Sequence, residues 1–210
     1  MPKIILHGTP VSTYVRTVRL LLEEAGADYD LKSINIFNGE NKSAEYLAKH
    51  PFGKVPTVEV DGEVIYESAA ITSYLDAVLS QGKFSPASPL ERSRMHQITA
   101  VIDNYLYPPA IQTIVIQRLI VPSQGGKTDE AAVKAAVAPA QTALEAIEAL
   151  TVGQPYLLGG EVSIADFYLI PIFIYLARTP EFAEVVAQAP KLQAWWQTAQ
   201  ELPSVKKVAG

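Results

Sequence analysis

KIILHGTPVSTYVRTVRLLLEEAGADYDLKSINI, residues 3–36, passes from a strand pattern to a helix pattern and back. Lys3 to His7 is a short β-branched run that stops at the turn signal Gly8-Thr9-Pro10. Val15, Val18, Leu21, Leu22 and Ala25 then recur at helical spacing until Gly26 ends the pattern. Tyr29, Leu31, Ile34 and Ile36 predict a second strand, which completes a βαβ unit. Downstream a short helix is expected near residues 44–49. Thr57 to Val60 and Val64 to Tyr66 then flank Asp61-Gly62, a hairpin signal because both turn positions favour positive φ. Glu67-Ser68 opens a further helix with Ile71, Leu75, Val78 and Leu79 on one face. The first half therefore reads βαβαββα, an α/β unit.

Residues 80–89, SQGKFSPASP, lose periodicity and collect Gly, Ser and Pro, as a linker does. Beyond them strand signals vanish. Helical patterns run over Leu90 to Val121, with Pro108-Pro109 inside, Thr128 to Leu150, Ser163 to Arg178, Phe182 to Ala189 and Leu192 to Leu202. The expected organisation is an α/β domain over residues 1–79, a linker over 80–89 and an all-α domain over 90–210.

Composition excludes several classes of function. With 210 residues and 49% hydrophobic against 19% charged side chains, the chain buries a sizeable core and is not disordered. The formal charge is -5, and neither half is basic, so nucleic acid and anionic membrane surfaces are poor partners. The absence of cysteine removes disulfides, thiolate metal sites and protein-thiol nucleophiles. His7, His50 and His96 are too scattered for a zinc motif, so no metal is expected. The longest apolar run, Phe167 to Ala177, has 11 residues and includes Pro171, so it reads as core rather than a membrane span. No secretory signal is legible at the N-terminus, and the expected location is cytoplasmic.

Ser12 falls at the start of the first helix, where unpaired N–H groups and the helix dipole favour an anion. Its hydroxyl either caps the helix or donates to a bound anion. No neighbouring His and acid suggest a hydrolase triad, so Ser12 is not read as an acyl acceptor. Pro56 is either an ordinary strand-start residue or the partner in a cis Val55-Pro56 bond. Glu67-Ser68 has a capping explanation, with Ser68 as cap, beside a ligand role, and Lys42 reads by default as a solvated charge. Ser163-Ile164-Ala165-Asp166 is a capping-box variant and is read as structural. Trp195-Trp196 and the tyrosines of the second half sit at helical spacing and read as core.

In this order the motifs G8-T-P-V-S12, Arg16-x-x-x-Leu20, G39-E-N-K42, H50-P-F-G-K-V-P56, E67-S-A-A-I-T-S-Y-L75 and S163-I-A-D-F167 resemble the cytosolic glutathione transferase family. They are most similar to its phi group and bacterial relatives, and the resemblance covers nearly the whole chain. It implies a thioredoxin-like N-terminal domain that binds glutathione and a helical C-terminal domain that walls the electrophile site. It further implies that Ser12 hydrogen-bonds the glutathione sulfur as the catalytic residue, and that Val55, before a cis Pro56, pairs with the cysteinyl backbone. By the same resemblance Glu67 and Ser68 hold the γ-glutamyl end and Lys42 meets the glycine carboxylate. Asn41 and Lys54 stand where phi members commonly carry His and Gln, so those contacts are expected to be rearranged. Tyr14 offers a second hydroxyl that either assists or replaces Ser12. The electrophile pocket is expected near Tyr14, Phe37, Tyr107, Ile111 and Ile114. Phe52 matches a position that often inserts into a partner subunit, which implies a homodimer. The implied activity joins the glutathione thiolate to a hydrophobic electrophile or uses it to reduce a peroxide; the alternative is a non-catalytic glutathione or ligand carrier.

Overall fold

The computed structural model describes residues 2–152 and 154–209. A mixed four-stranded sheet has the order β2-β1-β3-β4, with β1 Ile4–His7, β2 Asp30–Lys32, β3 Thr57–Val60 and β4 Glu63–Tyr66. β1 pairs parallel with β2, Leu6 opposite Leu31, and antiparallel with β3, Leu6 opposite Val58. Helix α1, Thr13–Glu24, crosses between β1 and β2, and α3, Ser68–Ser80, follows the β3–β4 hairpin. A 3-10 turn, Glu40–Lys42, and the short α2, Ala44–Leu47, lie between β2 and β3. This is the thioredoxin-like arrangement that the motif resemblance implies.

Strand β2 is shorter than the sequence predicts, and Ile34 and Ile36 fall beyond it. Asn35 turns the chain there: its Oδ1 accepts from the backbone N–H groups of Phe37 and Asn38 at 3.0 and 3.3 Å. Glu40 accepts from the Asn35 N–H at 2.7 Å and closes the turn. Local side-chain acceptors thus outcompete ladder pairing.

Beyond α3 the chain is helical. α4, Pro89–Val101, runs on without a break as wider π-helical turns over Ile102–Leu106 and Pro108–Ile120, and ends in α5, Val121–Ser123. Prolines 108 and 109 cannot donate, and their rings crowd carbonyls four residues back. Just before them the Tyr107 N–H bonds the Ile102 carbonyl, five residues back, and the Thr113 hydroxyl donates to Pro108 O at 3.2 Å. The remaining helices are α6, Glu130–Leu150, α7, Ile164–Leu176, α8, Phe182–Val185, α9, Pro190–Ala199, and α10, Pro203–Ala209. α6 starts two residues later than the sequence predicts because Asp129 caps it, accepting from the Ala132 N–H at 3.0 Å. α10 lies beyond the last helix that the sequence predicts, with Pro203 as its first residue.

α7 is the central rod, buried from Ile164 through Phe173. A helix apolar on all sides needs neighbours all round, and α7 packs against α1, α4, α9 and α10. Between α3 and α4, Phe84 plunges into the core against Phe167 with ring centroids 5.2 Å apart. Buried Asp76 secures that segment, accepting from Phe84 N–H at 3.0 Å and from the Ser85 hydroxyl at 2.7 Å. A stretch that reads as a linker therefore carries an anchoring aromatic.

Candidate active site

Ser12 is the N-cap of α1, with an extended backbone, φ -70° and ψ 134°. The chain reaches it through a constrained approach. A Cβ at Gly8 would lie 2.4 Å from Val15 Cγ2, so only glycine lets the end of β1 pass so close to the helix. The Ser12 N–H closes a turn onto Thr9 O at 3.0 Å. Tyr175, on α7, donates to the Val11 carbonyl at 2.5 Å, so the helical half pins the residue next to Ser12. The Ser12 Oγ accepts from the Val15 N–H at 3.5 Å, a loose cap. Among the described residues its own O–H donates to nothing. The first turn of α1 holds no acidic side chain, so the positive end of the helix is not neutralised from within. A hydroxyl donor at an uncompensated helix N-terminus suits an anion such as a thiolate.

Two facing loops build the opposite wall. Gly53 has φ +57°, and a Cβ there would meet Asn41 O at 2.5 Å and Lys42 Nζ at 3.0 Å. That close approach lets Asn41 Nδ2 donate to Gly53 O at 2.7 Å and Lys42 Nζ to Phe52 O at 3.3 Å. Lys42 remains exposed while it makes this contact to the loop. Tyr46 donates to Lys54 O at 2.8 Å and fixes the strand entry. The Val55-Pro56 bond is cis, which decides between the two sequence readings of Pro56.

Glu67 has φ 69° and ψ 120°. A non-glycine residue at positive φ costs on the order of 1–3 kcal/mol and tends to mark functional positions. Glu67, not Ser68, is the N-cap of α3, and no side-chain hydrogen bond caps this helix. Capping therefore does not explain the pair, and both side chains line the pocket.

These elements enclose a cleft of about 700 Å³. It is lined by Ser12, Tyr14, Asn41, Lys42, Lys54, Val55, Pro56, Glu67, Ser68 and Tyr107, all expected from the sequence. Three of the expected electrophile contacts lie outside this lining. Ile111 and Ile114 are buried in the helical core, because the wide turns rotate Gln112 to the cleft instead. Phe37 is 66% exposed and lies outside the lining, carried off by the Asn35 turn.

Sequence reasoning missed Ile36, His50, Ala69, Asp103 and Gln112. Asp103 had a legible signal: it is the one charged residue between Arg94 and Arg118, four before Tyr107. Tyr14 donates its hydroxyl to Asp103 Oδ1 at 3.0 Å, so its proton is already committed. Burial, chiefly, and the neighbouring carboxylate hold the Tyr14 hydroxyl well above the usual phenol range. Burial pushes the Asp103 carboxyl up to about 6; the Tyr14 hydrogen bond opposes this and the Glu67 charge adds to it. Among the described residues no cluster of three or more His, Asp or Glu side chains fits a metal ion. No described helix is long and apolar enough to cross a membrane.

Comparison with known proteins defines the class. Residues 11–78 match the family model of the glutathione S-transferase N-terminal domain, and residues 99–203 that of its C-terminal domain. The chain belongs to the glutathione S-transferase family. Within it, the chain is similar to plant phi-class members. It is 34% identical to glutathione S-transferase 1 of Zea mays, over all of this chain and 97% of that protein. Glutathione transferase F7 of Populus trichocarpa superposes with a TM-score of 0.85 at 34% identity, covering 98% of this chain and 97% of that one. Glutathione S-transferase I from maize, solved in complex with an atrazine glutathione conjugate, gives 0.84 at 33% identity, covering 99% and 96%.

Proposed function

We propose that the protein is a serine-type glutathione transferase that conjugates glutathione to hydrophobic electrophiles. The observation that carries this reading is the Ser12 hydroxyl, loosely capping α1 with its proton uncommitted, at the cleft. A free thiol has a pKa of about 8.5, so only a few per cent is thiolate at neutral pH. The Ser12 O–H and the α1 dipole favour the anion and raise that fraction. The thiolate then attacks the electrophilic carbon, the leaving group departs with its electron pair, and the thiol proton passes to solvent. No covalent bond to the protein forms.

In this reading residues 1–79 form the glutathione-binding domain, and residues 90–210, beyond the 80–89 connection, wall the electrophile. Val55 pairs with the cysteinyl backbone, Glu67 and Ser68 hold the γ-glutamyl end, and Lys42, with Asn41 and Lys54 beside it, takes the glycine carboxylate. Tyr107, tilted against Tyr14 with centroids 4.9 Å apart, offers an aromatic wall for the electrophile. The test is turnover with glutathione and a panel of aryl halides, isothiocyanates and organic peroxides. Glutathione binding without turnover of any of them would replace this reading with that of a carrier.

Glu67→Ala is expected to weaken glutathione binding roughly ten-fold or more, since a charged hydrogen bond contributes on the order of 1.5 to 3 kcal/mol. Unchanged affinity by calorimetric titration would remove Glu67 from the site.

The active form in this reading is a cytosolic homodimer. Phe52, 64% exposed, stands on the same half of the molecule as exposed Val64, Tyr66, Tyr74 and Val78. An exposed aromatic anchor suits an interface. Light scattering is expected to give twice 22.8 kDa, shifted toward monomer by Phe52→Ala; a wild-type monomer at micromolar concentration would refute the assembly.

A further inference from the structure

Asp103 stands where the two halves of the cleft meet. It lies on the π-helical wall with Tyr107 and Gln112, and Tyr14 fixes one of its oxygens at 3.0 Å. The other oxygen accepts no hydrogen bond among the described residues. The charged or titratable groups acting on it or facing it are Tyr14 from α1, Glu67 ahead of α3, Tyr107 on its own segment and Tyr168 from α7. None is a cation. The two lysines of the lining, Lys42 and Lys54, come from the loops on the opposite wall, where they are tied to or flank the Phe52-Gly53 backbone. The lysines thus stand on the opposite wall, and the Asp103 carboxylate has no cation among the groups acting on it. Asp103 bonds Tyr14 and shares its wall with Tyr107, so an electrophile held beside these two rings comes next to the Asp103 carboxylate.

We infer that Asp103 sets the charge preference of the electrophile site, disfavouring substrates that carry a carboxylate against neutral ones of the same shape. Like charges brought together in a half-buried cleft repel far more than in bulk water. This inference rests on the transferase reading and adds a substrate class to it. It also carries a pH dependence. Protonation of Asp103, whose carboxyl is held near 6, removes the repelling charge, so anionic electrophiles are accepted better in acid and rejected as pH rises through that value.

The experiment measures kcat/KM for 4-chloro-3,5-dinitrobenzoate and for the corresponding benzamide at saturating glutathione, between about pH 5 and 8. Their ratio cancels the thiolate fraction, which both substrates share. In the wild type the anionic-to-neutral ratio is expected to fall about ten-fold across this range. Asp103→Asn is expected to raise the ratio about ten-fold at pH 7.5 and to flatten its pH dependence, while Asp103→Glu retains both features of the wild type. Tyr14→Phe should move the midpoint upward, since it removes the hydrogen bond that favours the charged form. If Asp103→Asn does not fold, the wild-type profile decides, and a flat ratio overturns the inference. Turnover of both compounds with a ratio unmoved by Asp103→Asn overturns it too, with the transferase reading intact. No turnover of either compound, with none from the wider panel, overturns the transferase reading and this inference together.

Discussion

Ser12→Ala is expected to reduce turnover roughly ten- to thousand-fold, the range seen when one preorganised donor to a developing or stabilised anion is lost. Glutathione affinity should change less, because the proposed contacts to the peptide lie on the Lys42, Val55 and Glu67 side of the cleft. Folding should be little affected: the cap contact to Val15 is 3.5 Å long and contributes at the low end of the usual 0.5–2 kcal/mol or so. Conjugation assays beside thermal melting separate the two effects. A variant with wild-type turnover would leave Ser12 as a helix cap. Tyr14 would then need testing, although its proton is already directed at Asp103.

The largest expected loss of stability is at Asp166. It is fully buried and accepts four hydrogen bonds: from Leu157 N–H at 3.0 Å, Trp195 Nε1–H at 2.7 Å, Ser163 N–H at 2.8 Å and the Ser163 hydroxyl at 2.6 Å. These join the start of α7, the segment before it and α9 through one side chain. Burial pushes the carboxyl up from its ordinary value, and the surrounding donors oppose that shift. Asp166→Ala leaves several buried donors unpaired at about 1–3 kcal/mol each, so an overall loss on the order of 3–5 kcal/mol is expected. For a chain of this size that lowers Tm by roughly 10 °C or more. A melting curve within a degree or two of wild type would contradict this role.

Both residues stand out in the sequence, but for different reasons. The strand–turn–helix passage at residues 3–26 and the Asp61-Gly62 hairpin rest on periodicity and turn chemistry, which are local, and the sheet follows them. The Ser163–Asp166 spacing likewise announces a cap, though nothing local reveals that Asp166 also takes the indole of Trp195, 29 residues away. The short β2 escaped because Asn35 competes for the backbone that Ile34 and Ile36 suggest should pair. The electrophile wall escaped for a subtler reason. Ile111 and Ile114 are expected there from the resemblance alone, whereas the π-helical turns after Ile102 decide which side chains face the cleft and bring Asp103 and Gln112 to it. Glu67 shows the same limit, since its positive φ is a tertiary constraint with no trace in the residue type.

The central claim is that the α1 N-terminus and Ser12 hold the glutathione sulfur as a thiolate. Ultraviolet difference titration of wild-type protein saturated with glutathione tests it most directly, because thiolate absorbs where thiol does not. The account predicts that the bound thiol ionises at clearly lower pH than free glutathione and that Ser12→Ala moves the transition back upward. A bound thiol that titrates in the wild type at the same pH as free glutathione would contradict it.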